Sequence, residues 1–320
     1  MSPRKILITG GLGYVGGRVA KYLADNQNLN LQLTSRSNAI KNPGWLKDGA
    51  IVQWNTSAND DLSLLCAGID TIVHFAAMNE IDSALNPVTA LEVNSIATLR
   101  LLRAAQTAKV RRFIYFSTAH VYGVPLVGAI SEKTLPRPIH PYAISHKVAE
   151  DFVLAAHDKG EIEGVVLRLS NGMGVPISAN VNRWSLIVND LCRQAVVTRE
   201  LTLRSSGLQL RDFVTLHDTA RCVEYFIHLP VSQCRDGLFN LGGEYVRSIY
   251  EIAKMVATRC EAILGFKLQI SRVEPQVGEH ADHLDYSIAK LKATGFLLSN
   301  NFEDEIDATL RLCQKEFGNN

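Results

Sequence analysis

An α/β fold, a doubly wound parallel sheet with a smaller mixed α/β lobe toward the C-terminus, is predicted by three observations. Short apolar runs alternate with longer amphipathic segments through the first half of the chain. A glycine-rich turn, "GGLGYVGG" (10–17), joins the first run to the first amphipathic segment. After residue 171 the rhythm breaks into a mixture of loops, short strands and helices.

The elements follow in order. "KILITG" (5–10) reads as a buried strand and "GYVGGRVAKYLADN" (13–26) as the helix behind it. "LQLTS" (31–35), "AIVQWN" (50–55) and "DTIVHFAA" (70–77) are further strands, and residues 87–109 form a long helix. "RRFIYFS" (111–117) is a fifth strand, the segment after Pro141 a helix, and "GVVLRLS" (164–170) a sixth strand. Helices follow near 184–197, at 216–229, 248–260 and 302–317, and "GLFNLGG" (237–243) reads as one more central strand. We therefore expect a dinucleotide-binding domain over residues 1–171, with 215–245 returning to it. The second lobe comprises 172–214 and 246–320, and no flexible linker separates the two.

The bulk numbers are permissive. A chain of 320 residues with 47% hydrophobic content fills a core, and a net charge of +1 gives no reason to expect nucleic acid as the main partner. The six cysteines (66, 192, 222, 234, 260, 313) show no CxxC pair and no zinc-ligand spacing, so free thiols and no metal are expected. The N-terminus enters a strand directly, and no apolar run approaches the roughly 20 residues of a membrane helix. A cytoplasmic protein is the expectation.

Gly10, Gly13 and Gly16 sit between a strand and a helix. Gly10 permits a tight turn, Gly13 a close approach of backbone to a pyrophosphate, and Gly16 close helix–sheet packing. The helix N-terminus then offers N–H groups and partial positive charge to the phosphates. The pattern reads as a Rossmann-type nicotinamide dinucleotide site, the alternative being a glycine-rich turn that holds no ligand. About 20 residues further on, where a carboxylate would bind a ribose 2′-hydroxyl, the chain has Ser35 and Arg36. An arginine suits a 2′-phosphate, so NADP is preferred over NAD, which remains open. Asn55 is a candidate for the adenine.

The motifs "TGGLGYVGG" (9–17), "HFAA" (74–77), "FSTAHVYG" (116–123), "PYAISHKVAE" (141–150), "LRLSNGMG" (167–174), "RDFVTLHD" (211–218) and "FNLGG" (239–243) together resemble the extended short-chain dehydrogenase/reductases of the nucleotide-sugar epimerase and dehydratase family. The resemblance implies a tyrosine that shuttles the proton of the reacting oxygen, a hydroxyl that orients it, and a lysine that holds the ribose and lowers the tyrosine's pKa. The tyrosine maps to Tyr142, the hydroxyl to Thr118 with Ser117 beside it, and a supporting helix asparagine to Asn94. Ala76, in "HFAA", joins the cofactor set. Thr118 also fits a plain capping role.

The lysine is where the chain departs. On an α-helix position 146 lies one turn above Tyr142 on the same face, whereas 147 is rotated away. That place holds His146, and the lysine comes at 147. An unperturbed imidazole is charged in only about a quarter of molecules at pH 7. Three readings stay open: a site retuned around His146, which we prefer, a retired site, and a π-bulge that brings Lys147 into phase.

Relatives of the 4,6-dehydratase type carry an Asp-Glu pair after the threonine, for which this chain has Ala119 and His120. Paired carboxyls would supply acid and base, so 4,6-dehydration is not expected, and His120 is read as a packing or substrate-contact residue in preference to a proton donor. The expected activity is hydride transfer at a carbon of a nucleotide-diphosphate sugar, as an epimerase with a keto intermediate or as a keto-sugar reductase. The alternatives are reduction of a non-nucleotide carbonyl compound and a cofactor-binding module without turnover. The resemblance places Asn171 and Arg211 on the diphosphate. A later arginine of many relatives is replaced by Gln276, with Arg272 nearby as a substitute. It also implies a homodimer through a four-helix bundle, to which Leu91, Ala97 and Leu101 could contribute, unless they face the core.

Overall fold

The computed structural model describes residues 3–37, 41–56 and 61–318. Seven strands form the central sheet: β1 (Arg4–Thr9), β2 (Leu29–Ser35), β3 (Ala50–Gln53), β4 (Thr71–His74), β5 (Arg112–Thr118), β6 (Glu163–Leu169) and β7 (Leu238–Leu241). Their spatial order is β7-β6-β5-β4-β1-β2-β3, with every neighbouring pair parallel. The order reverses between β1 and β4, and in such sheets the crevice beyond the strands' carboxyl ends at that point takes the ligand. All seven residues of β5 are buried, as expected for a parallel strand covered on both faces.

Helix α1 (Tyr14–Leu23) and a later helix, Leu216–His228, cover one face, packing Val19, Leu23, Val223 and Phe226 on Ile6 and Ile8. The other face carries α2 and α3. Helix α2 runs as Pro87–Ala90, a π-helical stretch Leu91–Ile96 and Ala97–Thr107, and α3 spans Pro141–Asp158. Leu101, Ala105 and Val153 pack there on Leu7, Ile72 and Phe113. Ala97 and Leu101 are thus core residues, correcting their candidacy for a dimer face, while Leu91 stays partly exposed.

A separate core joins α4 (Ile187–Val197), α5 (Ile249–Leu264) and α6 (Phe302–Phe317) through Leu191, Val256, Ile306 and Leu310. Helix α5 shows why its sequence starts and stops where it does. Ser248 and Glu251 form a reciprocal capping box, and Gly265 closes the helix at φ +80°. One carboxylate gathers several of the bonds between the lobe and α1. Glu305 receives both guanidinium nitrogens of Arg18 (2.7 and 2.9 Å) and the backbone N–H groups of Val175 and His217 (3.1 Å each). The six cysteines are free and buried. No described helix is long and apolar enough to cross a membrane.

Candidate active site

The glycine turn is shaped for close approach. Gly10 sits at φ +66°, and a Cβ there would lie 2.9 Å from the Ala76 nitrogen. A Cβ on Gly16 would lie 2.4 Å from the Gly10 carbonyl oxygen, so helix and turn meet only through glycine. Gly13 caps α1 without a side-chain hydrogen bond, and no acidic residue stands in the first turn. That end of the helix is left for an external anion. Ala76 donates its N–H to Thr9 Oγ1 (3.2 Å), which holds the β4 exit against the turn. Ser35 is buried and accepts from the Ser37 N–H (3.0 Å), whereas Arg36 and Asn55 are exposed at the ends of β2 and β3. The guanidinium of Arg36 makes no ion pair among the described residues.

Helix α3 begins where its sequence prescribes, with Pro141 in the first turn and His140 Nδ1 accepting from the Tyr142 N–H (3.2 Å). Its first turn is clamped from α2. Asn94 Oδ1 accepts from the Met78 N–H (2.6 Å), and its amide donates to Ser145 Oγ (2.9 Å). Ser145 Oγ in turn donates to the Tyr142 carbonyl (2.9 Å), and Ser95 Oγ to the Ser145 carbonyl (2.7 Å). The π-helical stretch explains how consecutive residues both reach α3, because its wider turn shifts the helix face. Asn94 thus helps to hold the helix that carries Tyr142. Burial pushes the Tyr142 phenol up to about 12, with the Glu80 carboxylate adding to the rise and Arg183 opposing it.

His146 stands one turn above Tyr142, its ring edge-on to the phenol ring at 4.4 Å. Its Nδ1 is hydrogen-bonded to Tyr115 Oη (2.7 Å), while Nε2 is buried without a hydrogen-bond partner among the described residues. Burial lowers its pKa to about 4, the Phe116 carbonyl being near enough only to oppose the shift. The imidazole is neutral at pH 7, which corrects the quarter-charged figure expected for an unperturbed ring. Lys147 is turned to an ion pair with Asp151 one turn along α3, and α3 contains no bulge. Nothing here supports the Lys147 reading.

Thr118 ends β5 and caps the following turn, Ala119–Tyr122, by accepting the His120 N–H (3.2 Å), which leaves its O–H as a donor. Ser117 Oγ is buried and has no hydrogen-bond partner among the described residues. Helix α3 packs on that turn. Burial lowers the pKa of His120, Arg211 lowers it further, and Glu80 opposes. Among the described residues Arg211 makes no salt bridge, its Nη2 donating to Gln209 Oε1 (3.3 Å). Asn171 donates its amide to the Asp212 carbonyl (2.9 Å), which ties it to the same strand pair. Arg272, the candidate substitute for the missing arginine, stacks on Tyr250 (3.8 Å) and donates to the Ser206 carbonyl (3.0 Å).

Three contributors escaped the sequence reading. Glu80 pairs with Arg183 (3.0 Å), joining the sheet domain to the lobe beside Tyr142 and His120. Ser145 carries the clamp, and Tyr115 holds His146. Only Tyr115 had a readable signal, a polar-tipped aromatic flanked by the apolar residues of a buried strand, which demands a partner.

Two buried imidazoles set an acid limit. His74, held by Thr9 (2.6 Å) and Thr98 (2.8 Å), is lowered to about 3 by burial and by His146. Both rings are neutral in the fold and take up protons on unfolding. Their contribution is complete above pH 6.5 and is lost as pH falls toward 4 and 3 respectively. Asp212 acts oppositely: burial raises it to about 6, so the fold gains as pH drops below that. Between pH 7 and pH 5 the balance is a loss of about 2 kcal/mol. Denaturant unfolding at both pH values checks this, and His146→Gln should remove most of the difference.

Residues 6–242 match the model of the NAD dependent epimerase/dehydratase family. The human dTDP-D-glucose 4,6-dehydratase is 29% identical over 266 residues, covering 78% of this chain and 72% of that protein. The UDP-glucose 4-epimerase of Rhizobium leguminosarum bv. trifolii is 30% identical over 195 residues, 58% of this chain and 57% of its own. Among solved structures, UDP-glucuronic acid 4-epimerase from Bacillus cereus in complex with NAD superposes with a TM-score of 0.79 at 23% identity, over 97% of this chain and 96% of that one. The similarity to a 4,6-dehydratase overturns the exclusion drawn from Ala119 and His120. Losing one carboxyl pair removes one way of supplying acid and base, and Glu80 beside His120 shows a carboxylate arriving from another segment. Dehydration stays open beside epimerisation.

Proposed function

Because the chain belongs to the NAD-dependent epimerase/dehydratase family, we propose that it acts on a nucleotide-diphosphate sugar through reversible oxidation at a sugar carbon, with epimerisation by way of a keto intermediate as the net reaction. The observation that carries this is the placement of the Tyr142 phenol on a clamped first turn, edge-on to His146. The residues fit a nicotinamide dinucleotide: the glycine turn has no room for a Cβ, the α1 terminus has no side-chain cap, and the buried Nε2 of His146 lacks a partner. When bound, that cofactor supplies the acceptor and donor of hydride.

The chain's own residues do the rest. Tyr142 exchanges a proton with the sugar oxygen, and the free O–H of Thr118 orients that oxygen. His146, being neutral, contributes a hydrogen bond and no charge. Arg211, half-buried and without an ion pair, offers its planar fork to the diphosphate, with Asn171 beside it. The test is incubation with UDP-, dTDP-, GDP- and CDP-hexoses, followed by NMR for a new epimer. Dinucleotide binding without hydride exchange on any of them would leave only a binding module.

NADP preference is part of the proposal and rests on Arg36, exposed and free of ion pairs among the described residues. Arg36→Ala should weaken NADP binding about tenfold and leave NAD unchanged. If the unaltered protein binds NAD more tightly than NADP by calorimetry, the preference is withdrawn. A homodimer is proposed through the exposed apolar side chains Val88, Ile96, Ile144 and Phe152 of α2 and α3. A monomer in sedimentation at micromolar concentration removes it.

A further inference from the structure

Tyr115 lies in the middle of β5, 2% exposed, between His74 and His146, with ring centroids at 5.7 and 5.8 Å. A buried phenol needs a partner for its O–H, and the hydrogen bond found for it goes to His146 Nδ1 at 2.7 Å. His74 is no competitor, because Thr9 and Thr98 occupy both of its nitrogens. The direction of the bond follows. Were Nδ1–H the donor, the phenol proton would be left buried without an acceptor. Tyr115 therefore donates, Nδ1 carries no proton, and the neutral ring must carry its proton on Nε2. Burial, with Glu150 adding, holds the Tyr115 phenol well above its ordinary value, consistent with a permanent donor.

Nε2–H is then a buried donor without a partner, one turn above Tyr142. An unsatisfied buried donor costs about 1–3 kcal/mol, a cost a fold retains where a ligand supplies the acceptor. We infer that Tyr115 is a positioning residue: it fixes His146 as an Nε2–H donor aimed at an oxygen of the bound dinucleotide. The pair does by tautomer control what a charged side chain would do by attraction. This rests on the proposed reading that the cleft takes a dinucleotide.

The experiment uses the full-length protein labelled with 15N-histidine, the His146 signals being assigned by their loss in His146→Gln. The unaltered protein should show the Nε2–H tautomer at His146. Tyr115→Phe removes one oxygen and keeps the ring, so the fold is retained. It should let His146 populate Nδ1–H and weaken NAD(P) binding about fivefold, the loss of one ordinary hydrogen bond. In a His146→Lys background the same change should leave dinucleotide affinity unaltered. A purely structural role would lower Tm without moving tautomer or affinity.

An Nδ1–H tautomer in the unaltered protein overturns the inference, whether or not Tyr115→Phe folds. So does an unchanged dinucleotide Kd in a folded Tyr115→Phe protein. No sugar enters these measurements, so a failed epimerase assay leaves them standing. Absence of any dinucleotide binding by the unaltered protein would instead condemn the proposed function.

Discussion

Tyr142→Phe should leave the fold and dinucleotide affinity intact while lowering turnover about a thousandfold. The change removes a single oxygen. Among the described residues the phenol makes no protein hydrogen bond that would be lost, and the ring remains to pack on His146. What disappears is the group proposed to take and return the proton of the reacting oxygen, and general acid–base catalysis contributes typically ~10²–10⁴ in rate. The pH dependence sharpens the test. Burial holds the phenol at about 12, so the phenolate needed to begin oxidation is scarce at neutral pH and rises as pH rises toward that value. Turnover in the oxidising direction should therefore climb with pH from 7 upward, and in Tyr142→Phe the residual rate should lose that slope. Equal slopes in the two proteins, with dinucleotide Kd as control, would assign the proton transfer to another group.

His120 and Glu80 are the other titrating groups beside Tyr142, and neither mimics that profile. Burial and Arg211 lower His120, so it is already neutral at pH 7. Glu80 is held ionised by Arg183 against the burial that opposes it. Both are constant above neutrality, leaving the phenol to account for an alkaline rise.

The sheet was legible because parallel strands announce themselves. "KILIT", "TIVH" and "RRFIYFS" are apolar on both faces, and each is followed by a segment of helical period. The glycine turn was legible for a different reason: its residues obey a local steric rule that needs no distant partner. Contacts that depend on distant partners were not. Tyr115 finds His146 across 31 positions, and Glu80 finds Arg183 across 103. The exchange of lysine for histidine was visible at once, yet its consequence was not. How far an imidazole is depressed depends on its burial, which position 146 in a sequence does not state.

Glu305 is the sharpest case of such hidden dependence. In "FEDEIDATL" it sits in an acidic first turn, where carboxylates favour the helix N-terminus and usually face water. The fold buries it to 3% exposure and gives it four donors: two from Arg18, and the N–H groups of Val175 and His217. Glu305→Ala takes the acceptor from all four and should cost about 3–5 kcal/mol, the loss expected when one partner of a buried ion pair is removed. Denaturant unfolding measures it. Part of the cost is the unpaired guanidinium, because Arg18 keeps only its bond to the Val175 carbonyl (2.8 Å). Arg18→Met combined with Glu305→Met should therefore be less damaging than Glu305→Ala alone. The effect should also reach the cofactor cleft. Tyr14 opens α1 and donates to the Gly174 carbonyl (2.8 Å), and a Cβ on Gly174 would press on the Glu305 carboxylate at 2.4 Å. One carboxylate thus sets how the lobe lies against the first turn of the phosphate helix. Glu305→Ala should weaken dinucleotide binding under conditions where the protein is still folded. If affinity holds while stability falls, the seam is only a brace, and the glycine turn keeps its shape without it.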